Sequence, residues 1–440
     1  MDYSILRIEQ AIALHAKECS RRLALVVDKE CLNYAQLDEK IALMSQKMGS
    51  LQGRAVPFRA RVCSDTIVRY FAIHRSGGVA VPLDKDMPET LFLDLAQRLS
   101  LTTFPVGTAD VLFTTGTTGH PKGVMISHQT IMANAENLVG AQGYEPTLNF
   151  VVNGPLNHIG SLSKLYPTYL VGGVVRVVDG VRDMNRFLET LRATDTAPVA
   201  TFLVPASIRM LITFAADALA ELDGRIDFIE TGAAPIAQAD MMRLCQLLPS
   251  ARLYNTYAST ETGIIATHNF NASYCKAGCL GLPMQHSSLR ILSDGHVACG
   301  GKTLMTGYWN DSTATDKILH NGEIITNDLG RIDTEGRLHL CGRGDDVINV
   351  GGYKVAPTEV ENVAQAFPAV IDCICIPFQH PIIGTALRLL VAASSFNLDI
   401  HTLHQWLKQR LEPHKVPQDI RLVDHIERTF NGKLNRKAYL

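Results

Sequence analysis

Several short runs in this chain are apolar without alternation and are bounded by glycine. Val79-Ala80-Val81-Pro82-Leu83 follows a stretch of helical apolar spacing, 67–76, which Gly77 and Gly78 end. Runs of the same kind lie at 174–178 after Gly172-Gly173, at 199–204 before a helical pattern from Ser207, and at 226–231 before Gly232. A strand that is apolar on both faces must be covered on both. Strands alternating with helical patterns therefore predict a doubly wound α/β layer.

At 440 residues the chain exceeds one core of ordinary size, so two or three domains are expected. Hydrophobic residues make up 46% and charged residues 19%, the balance of a globular enzyme rather than a disordered chain. A net charge of −2, with no basic block, excludes a general nucleic-acid binder. Residues 1–17 include Asp2, Glu9 and Lys17, which suits an amphipathic helix and not a signal peptide. No apolar run reaches membrane-spanning length, and a cytoplasmic protein without an integral membrane segment is expected. The ten cysteines show no paired zinc spacing. Cys373 and Cys375 alternate within a strand-like run and are expected as buried, reduced side chains.

The most chemically loaded stretch runs from Val111 to Val124. An apolar strand, 111–113, passes into Thr114-Thr115-Gly116-Thr117-Thr118-Gly119-His120-Pro121-Lys122-Gly123. Glycines let the main chain approach a ligand, and successive N–H groups form an anion-binding concavity. Thr hydroxyls and Lys122 add donors for phosphate oxygens. This is not a Walker A loop, which needs Gly-Lys-Ser/Thr leading into a helix. A plain turn between strands also accounts for Gly116 and Gly119 taken alone. Two further segments carry unusual residue sets: Tyr257-Ala258-Ser259-Thr260-Glu261-Thr262-Gly263, and Arg343-Gly344-Asp345-Asp346, which runs on to Gly351-Gly352. Phe430-Asn431-Gly432-Lys433-Leu434-Asn435-Arg436 closes the chain.

In order and residue type these motifs resemble those of the adenylate-forming superfamily, which contains acyl-CoA synthetases, peptide-synthetase adenylation domains and luciferases. The resemblance extends from Leu32 to Arg436. It implies a multidomain α/β fold. A large N-terminal domain, 1–344, would hold doubly wound α/β subdomains and a β-rich subdomain. A small C-terminal α+β lid, 345–440, would turn on a hinge at Asp345. By the same resemblance Thr114, Thr115, Gly116, Thr117, Thr118, Gly119 and Lys122 cradle the ATP phosphates. Gly232, Ala233, Ala234 and Tyr257 lie against adenine, Thr260 meets the α-phosphate, and Glu261 is the Mg2+ carboxylate. Asp328 accepts the ribose hydroxyls and Arg343 contacts ribose or phosphate. Lys433 reaches the reacting carboxylate, and Gly351 and Gly352 border a thiol channel. His158 gates an acyl pocket formed with Phe202, Val204, Gly232, Ala258 and Ile264.

The chain departs from that pattern between 85 and 110, where one short helical segment, 88–99, replaces the usual longer insertion. None of the motif residues falls in the shortened part. No Asp stands beside His158, which disfavours an α-amino acid substrate. The pocket reads as apolar and partly small, with Arg209 as a candidate counter-charge for a second carboxylate. The reaction implied is ATP-dependent activation of a carboxylic acid to an acyl-adenylate, with release of pyrophosphate, then transfer to coenzyme A. Transfer to an acyl carrier protein, and a non-catalytic nucleotide-binding relative, stand as alternatives.

Overall fold

The computed structural model describes residues 7–114, 121–192, 197–272, 274–351, 353–381, 384–393, 398–428 and 434–439. Its largest sheet begins at the edge strand Glu30–Asn33. It continues through Leu23–Val27, Val174–Val177, Asn149–Val152, Val199–Leu203, Ile226–Thr231 and Arg252–Ser259. From Leu23–Val27 to Arg252–Ser259 the neighbours are parallel. Val174–Val177, Val199–Leu203 and Ile226–Thr231 are among the runs noted in the sequence and are largely buried on both faces, whereas Leu23–Val27, Asn149–Val152 and Arg252–Ser259 are further members, and the run 79–83 lies in a second sheet. The sheet then turns antiparallel through Gly263–Asn269, Cys279–Pro283, Leu338–Arg343, Glu323–Ile332, His296–Gly301 and Ser287–Ile291. This half is the expected β-rich part.

A second sheet has the order Gly307–Tyr308, Lys122–Ser127, Thr108–Thr114, Val79–Leu83, Ala55–Arg59. Its small core joins Val79, Val81, Leu83, Leu99, Phe104, Val111 and Trp309. The shortened interval supplies one helix, Glu89–Ser100. Leu91, Leu93, Leu101 and Val106 around it stay exposed.

From 345 onward the chain forms a small α+β unit. It comprises the hairpin Ile348–Val350 with Tyr353–Val355, the helices Pro357–Gln365 and Ile400–Lys408, and a sheet of Val370–His380, Gly384–Ala393 and Asp419–Leu422. Cys373 and Cys375 are buried in its core, as expected.

Local chemistry explains where the sequence reading slipped. In the sequence, Leu32-Asn33-Tyr34-Ala35-Gln36-Leu37 reads as a short strand leading into a helix over 37–48. The strand ends at Asn33 and the helix is Tyr34–Met48. Asn33 and Gln36 exchange side-chain and backbone hydrogen bonds of 2.8 and 2.9 Å, a capping box that starts the helix early. Likewise 327–338 reads in the sequence as a turn, a strand and a hairpin; the turn lies at Asp333, whose carboxylate accepts from the N–H groups of Glu335 and Arg337. Asp328 sits inside the strand Glu323–Ile332. The sequence over 357–367 reads as a helix with Glu359 and Glu361 in its first turn, where the dipole favours acids; Glu361 is instead buried and paired with Arg436 at 2.6 Å.

Candidate active site

The strands Thr108–Thr114 and Lys122–Ser127 are antiparallel, and Thr114 is paired with Lys122 across them. The phosphate-type loop is thus the tip of a hairpin. Thr115, Gly116, Thr117, Thr118 and Gly119 lie outside the described residues. Lys122, at the base of the tip, holds its ammonium 4.8 Å from the centre of the Tyr308 ring. Tyr308 is the residue the sequence reading passed over. Its hydroxyl donates to Glu261 Oε1 at 2.9 Å, so one ring orients the expected metal carboxylate and borders the expected phosphate lysine. The Gly-Tyr-Trp run at 307–309 was the available signal.

Glu261 and Thr260 stand at the tip of the hairpin between Arg252–Ser259 and Gly263–Asn269. Ser259 and Thr262 fix that tip through reciprocal side-chain and backbone bonds of 3.1 and 3.0 Å. Gly263 follows with φ +67°, and a Cβ there would lie 2.4 Å from the Thr303 carbonyl, so glycine is required.

Tyr257, in the same strand, is buried. Its hydroxyl donates to Asp328 Oδ2 at 2.7 Å and lies 3.3 Å from Thr326 Oγ1. Asp328 is paired across the sheet with Arg343. The tyrosine hydroxyls at 257 and 308 are both pushed well above their ordinary range, first by burial and then by the carboxylate each one faces. Both therefore remain donors, and each leaves its carboxylate one further oxygen for a ligand. Asp345 accepts from Arg343 Nε at 3.2 Å.

The turn after Ile226–Thr231 closes the site on the next strand. Ala233 has φ +67°, a left-handed conformation that costs a non-glycine residue about 1–3 kcal/mol and marks functional turns. A Cβ on Gly232 would sit 2.9 Å from the Thr256 carbonyl and 3.7 Å from the Phe202 ring. A Cβ on Gly160 would be 3.3 Å from that ring's other edge. Phe202 thus lies between two glycines. Phe202, Val204, Ala258 and His158 are all half-buried, and His158 precedes the short helix Ile159–Leu162. Ile264 is buried in the main core, where its N–H donates to Asn134.

Under Phe202 lies a pair the sequence reading missed. Lys164 and Glu230 are 2% and 1% exposed, 2.7 Å apart, and Lys164 Nζ is 5.2 Å from the Phe202 ring centre. Burial lowers the Lys164 ammonium's pKa, against the pull of Glu230.

Arg209 does not serve the pocket. It bridges Asp240 at 2.8 Å and reaches across to the small unit, donating to the Ile371 carbonyl at 3.0 Å beside Asp372. Its role as counter-charge for a second carboxylate is therefore withdrawn. In the small unit Gly351 has φ +57° at the end of its hairpin. Gly352 and Lys433 lie outside the described residues.

The large sheet with its parallel and antiparallel halves, the second sheet, and a small α+β unit joined through 343–346 are the fold of the adenylate-forming class. The chain belongs to the AMP-binding enzyme family. That family's model matches residues 105–309, and the AMP-binding enzyme C-terminal domain matches 359–433. Among curated relatives, indoleacetate–CoA ligase of Aromatoleum aromaticum is 27% identical over 84% of this chain and 71% of its own length. Feruloyl-CoA synthase of an Amycolatopsis species is 27% identical over 75% and 69%. The ATP-bound MatB of Rhodopseudomonas palustris superposes with a TM-score of 0.85 at 21% identity, covering 97% of this chain and 99% of that one, a likeness of fold.

Proposed function

We propose that the protein joins a carboxylic acid to AMP at the expense of ATP and then passes the acyl group to the thiol of coenzyme A. The observation that carries this is the pairing of Asp328 with Tyr257 and of Glu261 with Tyr308, next to Lys122. Two carboxylates held by neutral phenols, with an ammonium alongside, suit a ribose diol on one side and a polyphosphate on the other.

In the first step a carboxylate oxygen bonds to the α-phosphorus, and the bond to pyrophosphate breaks. Anion meets anion, so positive charge fixed in advance lowers the barrier. Lys122 and Lys433 supply it on this reading. The donor set also fits Mg2+, which takes one or two carboxylates beside nucleotide phosphates. Glu261, with one oxygen held by Tyr308, is the residue that would hold it, and the ion's chemistry is to neutralise phosphate charge. Holding acid and nucleotide in line supplies much of the remaining acceleration. In the second step thiol sulfur bonds to the acyl carbon, AMP leaves, and the thiol proton is lost to solvent. The unit from 345 onward turns about Asp345 between the steps, exchanging Lys433 for the Gly351-Gly352 segment.

Phe202 between Gly160 and Gly232 favours a flat ring, and both relatives above are named for aryl acids. The substrate class is therefore an aryl acid with a short chain to its carboxylate. Pyrophosphate release should be measured with Mg2+ and a panel of arylacetic, cinnamic and fatty acids, with and without coenzyme A. Aryl-dependent release with coenzyme A consumed is expected. Release without coenzyme A turnover would shift the acceptor to a carrier protein, and no release with any acid would overturn the reading.

A further inference from the structure

A second cluster of titratable side chains lies at the base of the loop-bearing hairpin, enclosed by three helices. Glu9 comes from Ile8–Glu18, His74 from Ser64–Arg75, and His128 opens His128–Gln142. One donor atom from each lies within 4.8 Å of the others. Glu9 and His74 are buried, and the two imidazoles meet edge to face with centres 4.9 Å apart.

Two features of this cluster call for a cation. Glu9 Oε2 is buried and accepts no hydrogen bond among the described residues. The Arg7 guanidinium is 3.9 Å from the other oxygen, on a side chain 39% exposed. A buried carboxylate oxygen left without a hydrogen bond is costly, and coordination to a metal removes that cost. His74, in turn, is held from behind. Its Nε2 is 2.9 Å from Asp110 Oδ1, while Asp110 Oδ2 accepts from Tyr70 at 2.9 Å and lies 3.4 Å from the Tyr166 hydroxyl. With Nε2 engaged by Asp110, a metal would bind the ring at Nδ1. A carboxylate behind a ligating histidine is the usual support for a metal centre.

We propose that Glu9, His74 and His128 form a binding site for zinc or a similar divalent transition ion. Two imidazole nitrogens and one carboxylate oxygen suit zinc, with water in the fourth position. Bonds of about 2.0–2.1 Å would place the ligands about 3.4 Å apart, so the donor atoms must draw in from within 4.8 Å of one another when the metal binds. The site is structural. It fastens the first helix to both strands of the hairpin, since Asp110 lies on one and His128 directly follows the other.

The test uses the whole chain, stripped by chelator, with its thiols alkylated because its cysteines are free and Cys31 is exposed. Zinc is titrated calorimetrically, and cobalt is followed by visible absorption. One zinc per chain, a melting midpoint that rises with zinc, and the ligand-field bands of four-coordinate cobalt are expected. Glu9→Gln and His128→Asn should each weaken zinc binding more than about a hundredfold with the circular dichroism unchanged. Absence of stoichiometric zinc overturns the proposal, as does zinc held equally well by both variants, which would place the ligands elsewhere. Should a variant not fold, the wild-type cobalt spectrum decides, and bands of a six-coordinate hydrated ion refute the site.

Discussion

Replacing Arg436 by Gln tests whether the end of the chain is locked to the small domain as the geometry implies. Arg436 grips both Glu361 oxygens, at 2.6 and 2.9 Å, and donates to the Cys375 carbonyl at 2.8 Å. Glu361 is 5% exposed and also accepts from the Cys375 N–H at 2.7 Å. Removing one member of such a pair strands a buried charge, which costs about 3–5 kcal/mol. A whole domain has only about 5–15 kcal/mol of stability, so the loss should appear as partial opening of this domain alone. Native-state hydrogen exchange reads it directly. Amides of Val370–His380 and Gly384–Ala393 should lose about 3 kcal/mol or more of protection, and those of Val199–Leu203 and Ile226–Thr231 should lose none. Because the penalty is the lone carboxylate, adding Glu361→Gln should restore part of it, giving a non-additive double-mutant cycle. A drop below about 1 kcal/mol, the level of an exposed ion pair, would refute the reasoning. Strict additivity would refute it equally.

Tyr257→Phe removes a hydrogen bond to a charged acceptor, worth about 1.5–3 kcal/mol. ATP affinity by calorimetry should fall about tenfold or more, and an unchanged affinity would mean that Asp328 does not hold the nucleotide. Arg209→Gln should release the small domain and speed proteolysis within 343–347 severalfold while leaving the KM for the acid unchanged. A raised acid KM would instead return Arg209 to the pocket. The His339 hydrogen bond, with Arg337 beside it, holds the Asp333 carboxyl well below the usual range. The stabilisation it gives is complete above about pH 3.9, the unfolded value, and is lost only as pH falls through the lower folded value. Exchange protection in Glu323–Ile332 and Leu338–Arg343 should therefore persist at pH 4, and its loss between pH 5 and 4 would contradict the pairing.

What the sequence made legible is what neighbouring residues decide together. The strands Val79–Leu83, Val174–Val177, Val199–Leu203 and Ile226–Thr231 were readable because each is a mostly apolar run beside a glycine turn or a helical pattern, whereas Leu23–Val27, with no glycine beside it, was not. The nucleotide motifs were readable because Tyr257, Thr260 and Glu261 share one strand and turn. Pairings across the chain were not readable. Glu361 looks like an ordinary helix-start acid until Arg436 is brought against it from 75 positions away. Arg209 looks like a pocket cation until Asp372 appears across the domain contact. Tyr308 gains a role only because Gly307–Tyr308 pairs with Lys122–Ser127, which sets its ring beside Lys122 and its hydroxyl on Glu261.

The shortened stretch before the hairpin bears on this directly. Strand Thr108–Thr114 is flanked by Val79–Leu83 on one side and Lys122–Ser127 on the other, so it is a central strand despite the trimming. Its face toward the shortened part keeps only a seven-residue buried core. Asp110, on the same strand, is fully buried and joins Tyr70, His74 and Tyr166. A buried polar network of this kind fixes register, because a one-residue slip would turn Asp110 into the apolar face. Thr114, at the end of the strand, and Lys122 across from it are then held in place from the well-packed side of the strand. On that ground a short interval between 85 and 110 is expected to spare the nucleotide motifs, and loss of the Asp110 network should harm ATP binding more than truncation of Leu91 or Leu93 on the exposed side.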